Sequence, residues 1–206
     1  MAGIKEGNKP SLVLKEKGKP FDFSGILDPL KQTGGIIFPF TPTIQFSHQT
    51  SYGTYDVAGS IYQQNYYMNT PNPNISVTAM FAANTKDEAE YTAAALHFLK
   101  TCTKSDFGSQ RLETAGTPPP ILKFNAYGVA HASSVPVVMR SFNYTLPEDT
   151  DYVEVSDGNG GTTSIPALLL LSIELVPQLP PKVVKDSFNI QDFASGSYVK
   201  KGGGFI

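Results

Sequence analysis

The sequence predicts a mainly β protein, an antiparallel barrel or sandwich of about seven strands with one flanking α-helix. Glycine and proline are abundant, at 18 and 16 of 206 residues, as in chains with many turns. Most apolar segments are short and alternate with polar residues at the period of a strand. One stretch, about residues 86–102, instead repeats its apolar residues every three or four positions. The whole chain, at 206 residues, is long enough to form one well-buried core.

The predicted helix is bounded by capping signals. Thr85 and Glu88 have the spacing of a capping box, acidic residues fill the first turn, and Lys100 and Lys104 follow near the end. Glu88, Thr92 and Lys100 are predicted to lie away from the apolar stripe. The stripe comprises Ala89, Ala93, Leu96, Leu99 and Cys102. Beyond the helix, three prolines at 118–120 predict a stiff extended lead into the next strand.

The predicted β domain spans residues 35–178 and begins with two extended segments, 35–49 and 52–69, separated by a Thr-Ser turn. The second segment is rich in tyrosine, which indicates a packed sheet or a subunit interface. The tyrosines are Tyr52, Tyr55, Tyr62, Tyr66 and Tyr67. Single-stranded nucleic acid is a disfavoured partner because this segment has no Lys or Arg.

Further strands are predicted at residues 75–81, 121–128, 135–146 and 152–155. The turn at residues 157–161 should join the last of these to a long strand at 165–176. In that strand Leu169 and Leu171 face one way, while Leu168 and Leu170 face the other. Its first half is therefore expected to be covered on both sides.

Residues 1–34 and 179–206 are predicted to be extended arms. The first combines six lysines with Gly, Pro and few large apolar residues, and a disordered leader is its alternative interpretation. Its lysines are Lys5, Lys9, Lys15, Lys17, Lys19 and Lys31, and its apolar anchors are Phe21, Phe23, Ile26 and Leu27. The second arm carries spaced apolar anchors, which are Phe188, Ile190, Phe193 and Tyr198, and it ends in GGGFI.

Charge and cysteine content exclude several classes of function. A net charge of −2 argues against a surface that binds nucleic acid by neutralising phosphates. The single cysteine, Cys102, allows no intramolecular disulfide and is predicted to be a buried thiol in a reducing compartment. The N-terminus lacks the apolar core of a signal peptide, and residues 167–176 are too short to cross a bilayer. No contact with a membrane is expected.

No catalytic, cofactor-binding or metal-binding residue is predicted, so the chain is not expected to be an enzyme. The three histidines, His48, His97 and His131, are far apart and lack metal-ligand spacing. An acidic cluster after residue 147 does not match a calcium loop and is explained by a proline-led turn. It comprises Glu148, Asp149 and Asp151, with Asp157 and Asn159 nearby. Gly202–Gly204 lack the Lys-Ser/Thr of a phosphate loop, and G-x-S-x-G is missing.

Eight short strings, in order across residues 35–178, resemble the tail-tube initiator, or tube cap, family of contractile-tailed, T-even-type bacteriophage baseplates. The first four are Phe38-Pro-Phe-Thr-Pro-Thr-Ile, Ser51-Tyr-Gly-Thr-Tyr-Asp, Phe81-Ala-Ala-Asn-Thr and His97-Phe-Leu-Lys-Thr-Cys-Thr-Lys. The others are Gly116-Thr-Pro-Pro-Pro, Phe124-Asn-Ala-Tyr-Gly, Val135-Pro-Val-Val and Tyr144-Thr-Leu-Pro-Glu-Asp-Thr-Asp-Tyr-Val.

This resemblance implies a tail-tube fold and a structural role in the virion, with assembly in the host cytoplasm. Six copies would form a ring on the baseplate hub and template the tail tube, with DNA as passing cargo in the lumen. Sheath or wedge proteins are further candidate partners. In this hypothesis residues 35–69 and 135–176 build the ring wall, the helix lies outside, and both arms grip adjacent subunits.

Two alternatives come from other classes. Tyrosines and loop acids would also suit a carbohydrate- or host-surface-binding β-domain of a virion, which could remain monomeric. A cell-wall hydrolase would instead lose turnover when Glu148 or Asp151 is changed.

Overall fold

The computed structural model describes residues 9–14, 23–106, 116–128, 131–156 and 161–198. These residues form eleven strands, three α-helices and a 3-10 helix at Gly25–Leu30. The first six strands are β1 (Ser11–Leu14), β2 (Gly35–Ile37), β3 (Thr43–Ser47), β4 (Ser51–Tyr55), β5 (Gln64–Asn69) and β6 (Asn74–Ala82). The others are β7 (Leu122–Ala126), β8 (Ala132–Thr145), β9 (Tyr152–Ser156), β10 (Thr162–Pro166) and β11 (Leu168–Pro177). The helices are α1 (Lys86–Cys102), α2 (Pro181–Ser187) and α3 (Ile190–Ala194).

Seven strands form one antiparallel sheet in the order β2-β1-β7-β8-β11-β6-β3. Along β6 the buried side chains are Ile75, Val77, Ala79 and Phe81, in the predicted alternation. The register pairs Val77 with Ile173 and Ala79 with Leu171 of β11, so the buried residues share one face. The prediction of a mainly β, antiparallel protein is confirmed, but these seven strands form one open sheet with β2 and β3 at its edges rather than a closed barrel.

Helix α1 covers this apolar face and has the predicted bounds. Its capping box is present: the Glu88 amide donates to Thr85 Oγ1 at 3.4 Å, and the Thr85 amide donates to Glu88 Oε2 at 3.3 Å. The prediction that Thr92 lies away from the apolar stripe is wrong. Thr92 is buried, and its hydroxyl donates to the Glu88 carbonyl at 2.9 Å, which satisfies the polar group inside the helix.

A third layer lies on the outer side of α1. Strands β9 and β10 form a separate two-stranded sheet, in which Val155 and Ile165 are buried. They pack with Ala89 and Ala93 of the helix and with Ala83, which precedes it. The alanines allow this close approach, so α1 lies between the seven-stranded sheet and a hairpin.

The described part of the predicted N-terminal arm is not an arm. Strand β1 lies inside the sheet between β2 and β7, with Leu12 fully buried opposite Phe124. Leu27 and Leu30 of the 3-10 helix are also buried in the core that contains α1. Burial of each of these apolar side chains stabilises the folded segment, and this stabilisation exceeds the tendency to disorder of the lysine-rich sequence around them. The anchor Phe21 and the lysines at 5, 15, 17 and 19 lie outside the described residues.

Two predicted strands are each divided in the structure. The segment 52–69 contains β4, a turn and β5, with Gly59 at a φ of 83° in the turn. The predicted strand 165–176 is split at Ala167, whose amide donates to the Asp151 carbonyl at 2.7 Å. Its carbonyl accepts from the Ala83 amide at 2.8 Å, so the chain leaves β10 and enters the larger sheet. Pro166 contributes to this break because it has no amide hydrogen to continue a ladder.

Candidate interaction surfaces

The first candidate surface is the tyrosine hairpin, residues 51–69, which comprises β4, β5 and their turn. It forms its own two-stranded sheet, apart from the seven-stranded one. Every residue of β5 is exposed, and the five tyrosines of the whole hairpin are 53% to 78% exposed. An isolated two-stranded hairpin is only marginally stable in water. Its exposed aromatic surface is therefore a candidate for contact with another molecule.

Cross-strand pairs explain how the hairpin presents its rings. Tyr52 lies opposite Tyr67, and their ring centroids are 6.3 Å apart in a T-shaped arrangement. Gly53 lies opposite Tyr66, where a Cβ atom would be 2.5 Å from the tyrosine ring. The glycine thus lets Tyr66 lie across the neighbouring strand. Asp56 is the one formally charged residue in the hairpin sequence, so the surface is aromatic, amide-rich and nearly neutral.

The second candidate surface is the open face of the seven-stranded sheet, opposite α1. The register places polar side chains across it, which include Thr43, Gln45, Ser76, Thr78, Asn143 and Ser172. Lys123 and Glu174 are the charged residues that alternate onto this face in the described strands, and Arg140 occupies the bulge in β8. Ser141 Oγ donates to the Glu174 carboxylate at 3.2 Å. The face carries no row of cations among these strands.

One end of the open face is apolar. Leu170 pairs with Met80, and Leu168 pairs with Ala82 on the same side. Leu168, Leu170 and Met80 are 39%, 53% and 40% exposed. The expectation that the first half of this strand is covered on both sides is therefore wrong for the described chain, since α1 covers one face only. These three side chains form an apolar patch suited to a neighbouring subunit.

The two edges of the sheet differ. At the β2 edge, the Tyr91 hydroxyl accepts from the Ile37 amide and donates to the Ile37 carbonyl, each at 2.8 Å. Burial raises the pKa of Tyr91, and its hydrogen bond with the Ile37 backbone opposes part of that rise. At the other edge, β3 pairs with β6 alone among the described strands. The β3 edge can therefore accept a further strand more readily than the β2 edge.

The third candidate surface is the C-terminal segment, residues 181–198. None of its residues is buried, although three aromatic rings cluster within it. Phe188 stacks on Tyr198 at 6.2 Å between ring centroids, and Phe193 lies 5.9 Å from Phe188. The Tyr198 hydroxyl accepts from the Asn189 amide at 2.7 Å and donates to the Ser187 carbonyl. This cluster holds the segment's own shape without a buried core.

The residues considered for chemistry lie apart. His48, His97 and His131 are exposed at separate places, and His131 contacts the Tyr127 ring edge-on at 6.2 Å. Glu148, Asp149 and Asp151 are exposed in the loop between β8 and β9. Across the described ranges, no group of three His, Cys, Asp or Glu side chains could hold a metal ion. Asp157, Asn159 and Gly202–Gly204 lie outside those ranges.

Cys102 is buried at the end of α1, and this burial raises the pKa of its thiol. A thiol that stays protonated is a poor nucleophile, as expected for a structural residue. None of the helices in the described part of the chain is long and apolar enough to cross a membrane.

Sequence reasoning identified the tyrosines but missed the hairpin that displays them. The turn signal was present, because Asp56 and Gly59 bracket a segment of small residues between two tyrosine-rich runs. The sequence does not distinguish Leu168, Leu170 and Met80 from core residues. Their exposure depends on which face of the sheet α1 covers. The contact between Tyr91 and Ile37 has no sequence signal.

Comparison with models of known protein families finds no match for this chain, and comparison with curated protein sequences finds none either.

Proposed function

We propose that this chain is a structural protein of a phage tail baseplate, with a fold of the tail-tube type. Six copies form a ring on the central hub, initiate polymerisation of the tail tube and line the channel for DNA. The proposal rests on the eight strings that resemble the tube-initiator family and on surfaces suited to self-assembly. No residue is assigned a catalytic role.

The observation that carries the proposal is the exposed tyrosine hairpin. Tyrosine presents large area at low cost in side-chain entropy and is enriched in protein interfaces. A hairpin with every residue of β5 exposed gains stable packing when a neighbouring subunit covers it. The open β3 edge and the patch of Met80, Leu168 and Leu170 offer further contacts for a ring.

The open face of the sheet suits the wall of a DNA channel. Hydroxyl and amide side chains dominate it, and its charged residues are of both signs. A cationic lumen would hold DNA by neutralising its phosphates, whereas a nearly neutral one lets DNA pass. In this arrangement the open face lines the lumen, and α1 with the β9–β10 hairpin lies on the outside.

Electron microscopy of the purified full-length protein, mixed with the tail-tube subunit of its own phage, tests the proposal. We expect six-fold rings of this protein and tubes that start from them, at a tube-subunit concentration that gives no tubes alone. Tube growth that is the same with and without this protein, together with a lack of rings, would overturn the proposal.

Carbohydrate binding by the tyrosine hairpin is the second candidate function. Exposed tyrosine rings can stack on sugars, and the neighbouring Gln63, Gln64 and Asn65 offer amide hydrogen bonds. This function predicts a monomer whose hairpin tyrosines are protected from chemical modification when host-surface glycans are added. Protection in a protein that does not form rings would favour it over the ring.

A further inference from the structure

A groove of about 410 Å³ lies beside the first turns of α1, away from the tyrosine hairpin. Pro39, Phe40 and Ala82 give it apolar walls, and Phe40 is 46% exposed. Asp87 and Glu88 lie on its rim. Glu88 is held by the Asn84 and Thr85 amides, whereas Asp87 has no hydrogen bond or ion pair with any described residue.

The charges of the chain are segregated in a way that matches this groove. Residues 35–178 contain twelve acidic and six basic side chains. Residues 199–206, Val-Lys-Lys-Gly-Gly-Gly-Phe-Ile, contain two lysines and no acid. They also contain two large apolar residues beyond three glycines, and glycine allows the backbone to bend between two contacts. The sequence of this tail therefore complements an apolar groove with an acidic rim.

The chain leaves the sheet at the end opposite to the groove. Strand β11 ends at Pro177, whose carbonyl accepts a hydrogen bond from Asn72 just before β6 starts. The groove includes Ala82 at the other end of the nine-residue β6, which corresponds to about 30 Å of extended strand. A chain that leaves the sheet at one end, with a groove at the other end, suits head-to-tail contacts between copies.

We propose that residues 199–206 of a second copy bind in this groove. Lys200 and Lys201 approach Asp87 and Glu88, while Phe205 and Ile206 cover Pro39, Phe40 and Ala82. The contact rests on the proposed self-assembly, to which it adds a specific donor and acceptor. Each contact is small, but repetition around an assembly raises the effective concentration of every tail.

Disulfide cross-linking between two full-length variants tests the contact. One copy carries Phe40→Cys and the other Phe205→Cys, each with Cys102→Ala so that no other thiol reacts. The matched control replaces Phe40→Cys with Tyr152→Cys, a similarly exposed aromatic position on β9. On mild oxidation, we expect the 40/205 mixture to give covalent dimers at least tenfold faster than the 152/205 mixture.

Charge variants separate the docking contact from chance collisions. Lys200→Gln with Lys201→Gln should slow formation of the 40/205 dimer about two- to fivefold at low salt. Lys182→Gln with Lys185→Gln, which removes the same charge earlier in the segment, should leave it unchanged. Added salt should reduce the difference between these pairs, because screening weakens exposed ion pairs.

Each outcome has a distinct meaning. Equal rates in the two mixtures would overturn the inference. A single chain that carries both Phe40→Cys and Phe205→Cys and forms only an internal disulfide would overturn it too. Six-fold rings without preferential 40/205 dimers would reject the groove while leaving the proposed function intact. Preferential dimers from a protein that does not nucleate tubes would support the groove and reject the tube initiator.

Discussion

Tyr91 makes the contact that distinguishes the two edges of the sheet. Its hydroxyl both accepts from and donates to the backbone of Ile37, as a further strand would. An edge whose backbone groups are already bonded is a poor template for another chain. This single side chain therefore directs edge-to-edge association toward β3.

Replacing Tyr91 by Phe should lower the free energy of unfolding by about 1 kcal/mol, because two hydrogen bonds at a partly solvated edge are lost. Urea denaturation measures this change. Tyr152→Phe is the control, since its hydroxyl bond to the Pro147 carbonyl is long, at 3.4 Å, and exposed. Equal effects of the two substitutions would contradict the role assigned to Tyr91.

The stability contributed by Tyr91 should also depend on pH. Burial raises the pKa of this phenol above its ordinary value of 10.0, so folding favours the neutral form. Its contribution is complete below pH 10 and is lost as the pH rises from that value through the raised pKa. The difference between wild type and Tyr91→Phe should therefore narrow above pH 10.

Residue-level predictions from sequence succeeded where the interaction is local. The capping box joins Thr85 to Glu88 across one helical turn, so its spacing is visible in the sequence. The Tyr91 contact joins residues 54 positions apart and depends on how α1 meets the edge of the sheet. The burial of Thr92 likewise depends on how α1 packs in the whole fold, which its local sequence does not show.

The tyrosine hairpin is an ordinary antiparallel pair of strands, but its aromatic side chains are exposed. Its two strands place aromatic rings opposite each other, yet the neighbouring layers leave those rings in solvent. Side chains that are exposed in the monomer contribute little to its stability. Substitutions there should therefore weaken assembly with little change in the free energy of unfolding.

Changing Tyr62 and Tyr66 to Ser should reduce ring formation at least tenfold while lowering the thermal midpoint by no more than about 3 °C. In the proposed ring these two side chains contact only a neighbouring copy, so their loss should weaken assembly more than folding. Electron microscopy and thermal denaturation provide the two measurements. The Tyr152→Ser variant should form rings normally, since Tyr152 lies on another hairpin and is about as exposed as Tyr66. Unchanged rings in the double variant would remove the hairpin from the interface.

The predicted strand 165–176 is divided at Ala167 into β10 and β11. Pro166 signalled a break, but the largely apolar run 167–176 favoured one long strand. The outcome depends on two partners, the Asp151 carbonyl and the Ala83 amide, which bind Ala167 and turn the chain. The break at Ala167 is therefore set by hydrogen bonds to residues distant in sequence, which the local sequence pattern does not show.

The whole molecule consists of three layers, with α1 between the seven-stranded sheet and the β9–β10 hairpin. Sequence periodicity predicted the sheet and the helix, because each has a repeating apolar pattern. The position of β1 was not predictable in this way, since four residues in a lysine-rich region carry too little pattern. The candidate surfaces were visible as composition, but their exposure depends on the arrangement of all layers.

Deleting residues 182–206 should leave the layered body folded. No described residue of this segment is buried, so its removal should change the free energy of unfolding by less than about 1 kcal/mol. Docking to neighbouring subunits should weaken. Urea denaturation and ring counts provide the measurements, and Leu30→Ala, which opens a cavity in the core, should by contrast cost about 2–5 kcal/mol. A truncated protein that unfolds would show that the segment supports the body.

Strand β11 is the last of the described strands, yet it lies between β8 and β6 in the sheet. Until residues 168–177 leave the ribosome, β6 with β3 and the group β2-β1-β7-β8 have no strand to join them. The core face of each group is then uncovered during translation, when apolar surfaces are most prone to aggregate. While β11 is still leaving the ribosome, residues 178–206 are being synthesised, which prolongs the time before the two groups of strands can join. We therefore expect the nascent chain to be protected by chaperones until its final strand is released.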